Sequence, residues 1–463
     1  MSSTLDRDVI ASALARIERV GRRPGPPLAG AAPTPLPIHT LMVPAPEFSH
    51  DYTRTAGRAA LRLAQLCASD SVVLARALAL PGWEDLPTDP GQVDQLLARL
   101  DADEASVAAR WPSAALAHQV YRRVVTRLAR TPVQDVRVDL QDLTGPPHAL
   151  DALSVDVARK LAKGLYDGTL PARCGVRIGS LLPGSAAGSL RVLDQVVTTL
   201  ADAASGILPD GFVVSVSGVT SPDTVAAFTQ VLGHLEQRRG LPKGALKLEL
   251  SLDRTEAILD SGGSVQAAQL MRAAKGRCAA IRIDTLALAT TAGPALAAVA
   301  RDLVRLAVAG TNVSVSAGTS PPVPDPGRFD IGSPMQRTQL FSGVRTAWRA
   351  HFDAVSADLD AGAHWGWDLD AGQLPARLAA VAAHARAHLA PALTRLALRV
   401  QLALDDGGVS LERLVDGQAQ LDVILRWVDC GAVDVGEVLA AGLDNLDIDS
   451  RSFRVIVARR RRS

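Results

Sequence analysis

FVVSVSGVTSPDTVAAFTQVLGHLEQRRGLPKGALKLELSL, Phe212–Leu252, is the stretch whose reading decides the fold. Phe212–Ser217 is a short β-branched run and reads as a strand. Asp223–Arg239 carries Val, Phe and Leu at helical spacing, and Lys247–Leu252 reads as a second strand. Two strands joined through an amphipathic helix form a βαβ unit, which requires the strands to run parallel.

The same rhythm continues in both directions. Upstream, Val136–Leu140 is a strand, Asp151–Gly168 a helix, Gly175–Gly179 a strand and Ser189–Ala204 a helix. Downstream, Thr255–Leu259 and Ser264–Lys275 are helical and Ala280–Ile283 is a strand. Pro294–Ala309 is a helix, Asn312–Ser316 a strand and Ser333–Leu359 a long helical region. With Ile38–Val43 as the first strand and Ala363–Leu369 as the last, the series approaches the eight strands of a closed barrel. The expected fold is therefore α/β, a TIM-type (β/α)8 barrel over residues 37–374. An open doubly wound sheet is the alternative. No GxGxxG or GxxxxGK[ST] loop follows any strand, which weakens its nucleotide-binding version.

Helical patterns at Thr55–Leu80, Asp89–Leu100 and Ala114–Ala129 make residues 45–130 a helical insertion. Residues 1–36 read as a helix over 5–21 and a linker rich in Pro, Gly and Ala. Residues 375–463 read as a helical extension, Pro375–Leu404, Ser410–Val428 and Val435–Gly442, with a basic tail.

Composition narrows the functional classes. Hydrophobic residues make up 48% of the 463 residues and aromatics 3%, so the core must rest on Ala, Val and Leu. The formal net charge of +1 provides no overall attraction to nucleic acid or acidic lipid, and neither is an expected partner. The run Arg459–Arg462 reads as a solvated, disordered end. Cys67, Cys174, Cys278 and Cys430 are far apart with no CxxC pair, which fits a reducing compartment. Met1–Arg23 lacks the apolar run of a signal peptide, and no uncharged stretch of about 18 apolar residues exists. A cytoplasmic location is expected.

In a barrel the reactive groups belong at the C-terminal ends of the strands. The candidates there are Asp139, Gln141 and Asp142, then Arg177, Ser217, Glu249 and Asp253. Asp284, Thr285, Ser316, Thr319, Asp368 and Asp370 follow. Carboxylates beside an arginine suit Mg²⁺ and a 2-keto acid whose enolate needs stabilising. The plainer reading, favoured at each position singly, is that these Asp residues cap the following helices. His384 and His388 share one helix face, but with no third ligand evident in the sequence a solvated helix is the favoured reading. Trp365 and Trp367 read as packing at the barrel rim, Ser320–Pro326 as a rigid covering loop, and Cys430 as a small buried hydrophobe.

Several phrases together resemble a known family. VRVDLQD (Val136–Asp142), GVRIGS (Gly175–Ser180), LPDGFVV (Leu208–Val214) and GWDLDAGQL (Gly366–Leu374) are similar to the HpcH/HpaI aldolase–citrate lyase superfamily. PIHTLMVP (Pro37–Pro44) and VDCGAV (Val428–Val433) fit a branch of it with a helical C-terminal part. The resemblance spans about 36 to 440. It implies a barrel handling pyruvate-type keto acids or acyl-CoA, with carbon–carbon lyase chemistry through an enolate bound to Mg²⁺ or Mn²⁺. It also implies a homo-oligomer. Arg177 matches the arginine that holds the keto acid. Asp253 falls where a metal-binding Glu is expected, and Ala287 where the metal-binding Asp is expected. Asp284, three residues earlier, is the candidate substitute ligand, and Asp142 a further one. Gln141 stands where the family has Glu, Ala317-Gly318 where it has Asp-Gly, and Asp370 where it has His. Asp139, Gln141, Ser217, Ala287, Ser316, Thr319, Trp367 and Asp370 would line the substrate pocket. Two functions follow: a lyase with an altered metal site, or a catalytically inactive barrel serving as a ligand-binding or scaffold protein. A structural partner for another barrel subunit is a third.

Overall fold

The computed structural model of the protein describes residues 37–141, 146–309, 311–318, 324, 333–405 and 411–461. Its strands are β1 (His39–Pro44), β2 (Asp135–Asp139), β3 (Arg173–Ser180), β4 (Val213–Ser217), β5 (Lys247–Leu252), β6 (Cys278–Ile283), β7 (Ser314–Ala317) and β8 (Gly366–Asp368). They form one sheet in the order β7-β6-β5-β4-β3-β2-β1-β8, every pair parallel. The seam between β7 and β8 is bridged where the Trp367 amide donates to the Gly318 carbonyl at 3.0 Å. Sequential order, with β8 against β1, makes this a TIM-type (β/α)8 barrel and removes the open doubly wound alternative.

The stretch that opens the sequence argument shows why the units form. Pro222 occupies the first turn of the helix Pro222–Arg239, and the Ser221 hydroxyl accepts from the Thr224 amide at 3.3 Å. Gly240 ends that helix at φ 66°, a conformation glycine adopts without strain. Strand-to-strand approach is set by Gly175, where a Cβ would lie 2.0 Å from the Val213 carbonyl oxygen, so no larger residue fits between β3 and β4.

Alternation along the strands gives the barrel two unlike surfaces. Leu41, Val136, Val138, Val176, Val214, Val216, Leu248, Leu250, Ile281 and Ile283 face the helices and are buried. The opposite face, by register, carries Thr40, Asp135, Arg137, Arg177, Ser215, Glu249, Ser251, Arg282 and Ser316. A barrel interior is ordinarily filled by branched apolar side chains. Here the expected Ala, Val and Leu core forms the outer layer, while the interior holds charges and two indoles. Arg137 pairs with Asp135 and, at 3.3 Å, with Glu249, all three fully buried. Trp365 donates to Thr40 Oγ1 at 2.9 Å beneath the Arg173 guanidinium.

Five α-helices lie between β1 and β2, from Tyr52–Cys67 to Pro112–Arg130. The expected continuous helix Thr55–Leu80 is broken at Asp70, whose carboxylate accepts the Val72 and Val73 amides, both at 2.9 Å, and starts a new helix, Ser71–Leu78. After β8, the helix Leu374–Asp405 packs on Pro334–Asp360 and Pro112–Arg130, and Leu411–Asp429 packs on it in turn. The basic tail differs from its reading as a solvated end. Its first two arginines close the helix Phe453–Arg460. Arg459 pairs with Asp444 at 2.9 Å and Asp447 at 2.6 Å, and Arg460 with Asp447 at 2.8 Å. Acidic partners supplied by the preceding short helix explain the order.

The expected N-terminal helix and linker, Asp142, Thr319 and all but Pro324 of the Ser320–Pro326 loop lie outside the described residues. Among the described residues no helix is long and apolar enough to cross a membrane. All four cysteines are free and buried.

Candidate functional site

The C-terminal ends of the strands bring together Asp139, Arg177, Ser217, Asp253, Arg282 and Asp284. Asp139 ends β2. One of its oxygens accepts the Gln141 amide at 2.9 Å, and the other accepts from Arg177 at 3.0 Å. Arg177 projects from β3, in register with Asp139 and Ser215, and its buried Nε has no hydrogen-bond partner. The Ser217 hydroxyl donates to the Gln141 side-chain carbonyl at 2.9 Å, joining β4 to the end of β2.

Asp253 follows β5 and keeps the parity of Glu249 and Ser251, so it continues the inward face. Its Oδ1 is buried without a partner. Burial pushes its pKa above the ordinary carboxylate value, and nearby Asp284 adds to that; Arg254 and Arg177 oppose it without cancelling it. A raised carboxyl pKa means that ionisation at neutral pH costs folding stability. Asp253→Asn should therefore raise the Tm at pH 7. The gain should shrink as the pH falls through the carboxyl pKa toward about 4, where both proteins are uncharged at this position. Thermal unfolding at pH 7 and 4 measures it; an unchanged or lowered Tm at pH 7 refutes it.

Asp284 and Ala287 sit differently from their sequence reading. Ala287 is not on a strand but in the first turn of the helix Thr285–Ala292, which the sequence pattern did not reveal. Asp284 is the N-cap of that helix: one oxygen accepts the Ala287 amide at 3.1 Å, and the other pairs with Arg282 at 3.1 Å. The plainer reading of a capping aspartate thus applies here.

Arg282 was not among the sequence candidates. It is buried on β6, donates to Ser251 Oγ at 3.1 Å and lies 4.3 Å over the Trp367 ring. Trp367 is buried inside the barrel rather than at its rim and donates to Ser316 Oγ at 2.9 Å. Burial lowers the Arg282 pKa, while Asp284 opposes that shift. Arginine stays protonated even so.

Two further candidates are held by partners of their own. Asp370 accepts the Gly372 amide at 2.6 Å within its own turn. Asp368 lies on the outer face of β8, where it accepts from Arg377 Nε at 2.6 Å and bonds His351 Nε2 at 3.0 Å. Its buried neighbour His39 is pushed down to about 4 by burial. Glu249 lies deeper, bound to Arg137. Thr285 opens the helix Thr285–Ala292 behind Asp284.

The described residues at the mouth do not fit a divalent cation. Both oxygens of Asp139 and of Asp284 are committed to amides and arginines, which leaves Asp253 with the bare buried oxygen. Arg177 and Arg282 place two positive charges where Mg²⁺ or Mn²⁺ would have to sit. Among the described residues no three carboxylate, imidazole or thiolate ligands converge there. The arrangement suits an anion instead. The cavities of about 670 and 730 Å³ lie at the opposite end of the barrel and are lined by Arg54, Arg58, Arg123, Arg127 and Arg130 rather than by the mouth residues.

Among solved structures the chain is similar to Haloferax volcanii malate synthase in its lead(II) complex. That similarity is 12% identity over 72% of this chain and 93% of that one, with a TM-score of 0.40. CitE from Mycobacterium tuberculosis, in complex with magnesium, acetoacetate and coenzyme A, is 14% identical over 65% of this chain and 94% of that one, with a TM-score of 0.38. No curated protein matches. A family model described as a domain of unknown function, DUF6986, matches residues 24–456, and the chain belongs to that family.

Proposed function

We propose that the barrel mouth binds a small carboxylic acid of the 2-keto acid class through Arg177, without a divalent cation at Asp253 or Asp284. The observation that carries this reading is Arg177 itself. It is a largely buried guanidinium at the strand ends, held by a single ion pair to Asp139 and with its Nε unbonded. A ligand carboxylate can displace Asp139 and take the planar fork bidentately, a geometry for which arginine is suited. Arg282 adds positive potential from below. The keto acid class comes from the resemblance to aldolases and citrate lyases, in which Arg177 holds the matching position.

Asp253 favours a second reading, a barrel that still enolises its ligand. A carboxyl whose pKa lies above the usual range is a better base when ionised, and it can take a proton from the carbon beside the keto group. The departing proton goes to Asp253, and the electron pair stays on the enolate beside Arg177.

Both readings are tested on the full chain in EDTA. Pyruvate should bind in calorimetry, and Arg177→Gln should weaken it by about 10- to 100-fold, the worth of a charge-assisted hydrogen bond. Acetyl-CoA, which offers no free carboxylate, should not compete. Binding that appears only with Mg²⁺ or Mn²⁺, or that survives Arg177→Gln unchanged, overturns the first reading. Deuterium uptake at the pyruvate methyl in D₂O, lost in Asp253→Asn while binding persists, supports the second. Binding without exchange leaves the chain a ligand-binding barrel.

A further inference from the structure

The helix Leu374–Asp405 carries HARAH at His384–His388, two imidazoles one turn apart. Sequence alone offered no third ligand. The fold supplies one. The helix Pro334–Asp360 ends beside this pair, and its last residue, Asp360, approaches His384 Nδ1 at 3.2 Å. Asp360, His384 and His388 each present a ligand atom, and these atoms all lie within 4.8 Å of one another. It is the one such three-residue group among the described residues.

Three independent features point the group at a cation. First, His388 Nδ1 is 2.9 Å from the His384 carbonyl. A carbonyl only accepts, so Nδ1 carries the proton and Nε2 is left bare, the state that an outer hydrogen bond imposes on a ligating histidine. Second, the His384 and His388 rings stack with centroids 4.1 Å apart, which holds the two imidazoles side by side. Third, His364, on the connection into β8, meets His384 edge-on at 5.9 Å, and its buried Nδ1 has no hydrogen-bond partner. Trp427 closes the other side, 5.9 Å from His384. The Asp360 side chain is 68% exposed, which gives an ion a way in. Arg305, bound to the Ala361 and Gly362 carbonyls, stands nearby, with its charge met by Asp302 and Asp358.

We propose that Asp360, His384 and His388 form a binding site for a divalent transition-metal ion of the zinc class, with His364 beside it as a fourth nitrogen. Two imidazoles and a carboxylate select zinc, cobalt or nickel over magnesium and calcium, which prefer all-oxygen shells. Two histidines four apart on a helix are a recurring zinc-binding arrangement. The site lies at the N-terminal end of β8, opposite the mouth, so it clamps two outer helices and the β8 connection together rather than serving the chemistry of Arg177.

Full-length protein stripped with EDTA and dialysed is titrated with ZnCl₂ in calorimetry, and with CoCl₂ in the visible spectrum. One zinc per chain is expected, with cobalt d–d bands and no heat from MgCl₂. His388→Gln and His384→Gln should each weaken zinc by about 100-fold or more, beyond the 10- to 100-fold typical of an outer-shell loss. Asp360→Asn should weaken it less, and Arg177→Gln not at all. Circular dichroism shows whether each variant keeps its fold, and Gln suits the helix well. No zinc binding by the parent, or equal binding by parent and His388→Gln, overturns the proposal.

Discussion

Arg137→Met should cost about 3–5 kcal/mol of folding stability, the usual effect of leaving buried charges uncompensated. Arg137 is fully buried in the middle of the barrel, and it holds Asp135 from its own strand and Glu249 from β5. Burial alone would pull the guanidinium pKa down. The two carboxylates outweigh burial and hold it above the ordinary arginine value. Methionine fills similar volume but leaves two carboxylates facing each other in an enclosed space. Asp135 keeps the Thr40 hydroxyl at 2.7 Å, whereas Glu249 Oε1 already has no partner. Glu249 is therefore the residue left most exposed to the loss. A triple change, Arg137→Met with Asp135→Asn and Glu249→Gln, should recover most of the stability, because it removes the charges together. Denaturant unfolding measures both. A single-variant loss below about 1 kcal/mol would mean that water already reaches this layer.

Asp368→Asn should also cost about 3–5 kcal/mol, at a different place. Asp368 bonds β8 to two helices through His351 and Arg377, with no exposure to solvent. Burial would raise its pKa, but Arg377 and His351 prevail and hold it far below the ordinary carboxylate range. A carboxyl depressed in this way gives its full stabilisation above the unfolded value of about 4 and loses it only as the pH falls toward the folded value. The deficit of Asp368→Asn should thus stay constant from pH 7 to 8, above the range in which its neighbours His351 and His39 take up protons. A separate acid effect should appear in the parent through His39. Its pKa is depressed to about 4, so the unfolded chain takes up a proton between pH 6.5 and 4 that the folded chain refuses. His39 by itself removes about 1.4 kcal/mol of stability per pH unit across that window, and His364, pushed down to about 3 by burial, adds to the fall. Chemical unfolding at several pH values separates the two, and a deficit that varies steeply between pH 7 and 8 would contradict the assignment to Asp368.

The barrel was legible because its signal is repeated. Each short β-branched run followed by a helical pattern carries the same information, and one misjudged boundary does not alter the count. DVRVD at Asp135–Asp139 and KLELSL at Lys247–Leu252 alternate strictly, yet the expected core of Ala, Val and Leu did not foretell that their charged sides fill the barrel interior. Arg282 was missed because Cys278–Ile283 reads as an apolar run. Its direction follows only from its register with Ser251 and Ser316. Asp284 carried two readings, a helix cap and a substitute metal ligand, because the helix Thr285–Ala292 shows no clear periodicity; its contacts with the Ala287 amide and Arg282 come only from the fold. Asp360 is 24 residues before His384 in a different helix, and only the packing of those helices brings the two together.

The contrast between the inner and outer surfaces also bears on how reliably the chain finds its fold. Parallel strands joined through helices must choose their alignment without a tight turn to dictate it. In an ordinary barrel, apolar on both faces, a shift of one residue exchanges one oily side chain for another. Here a slip of one residue in β2 would drive Asp135 and Arg137 under the helices and bring Val136 inside, away from Glu249. Misaligned forms are thereby raised in energy by several unpaired buried charges, so the polar interior acts as a proofreading device during assembly. Removing those charges together, as in the triple variant, would preserve stability while giving up that discrimination, and refolding would then show slower or heterogeneous phases.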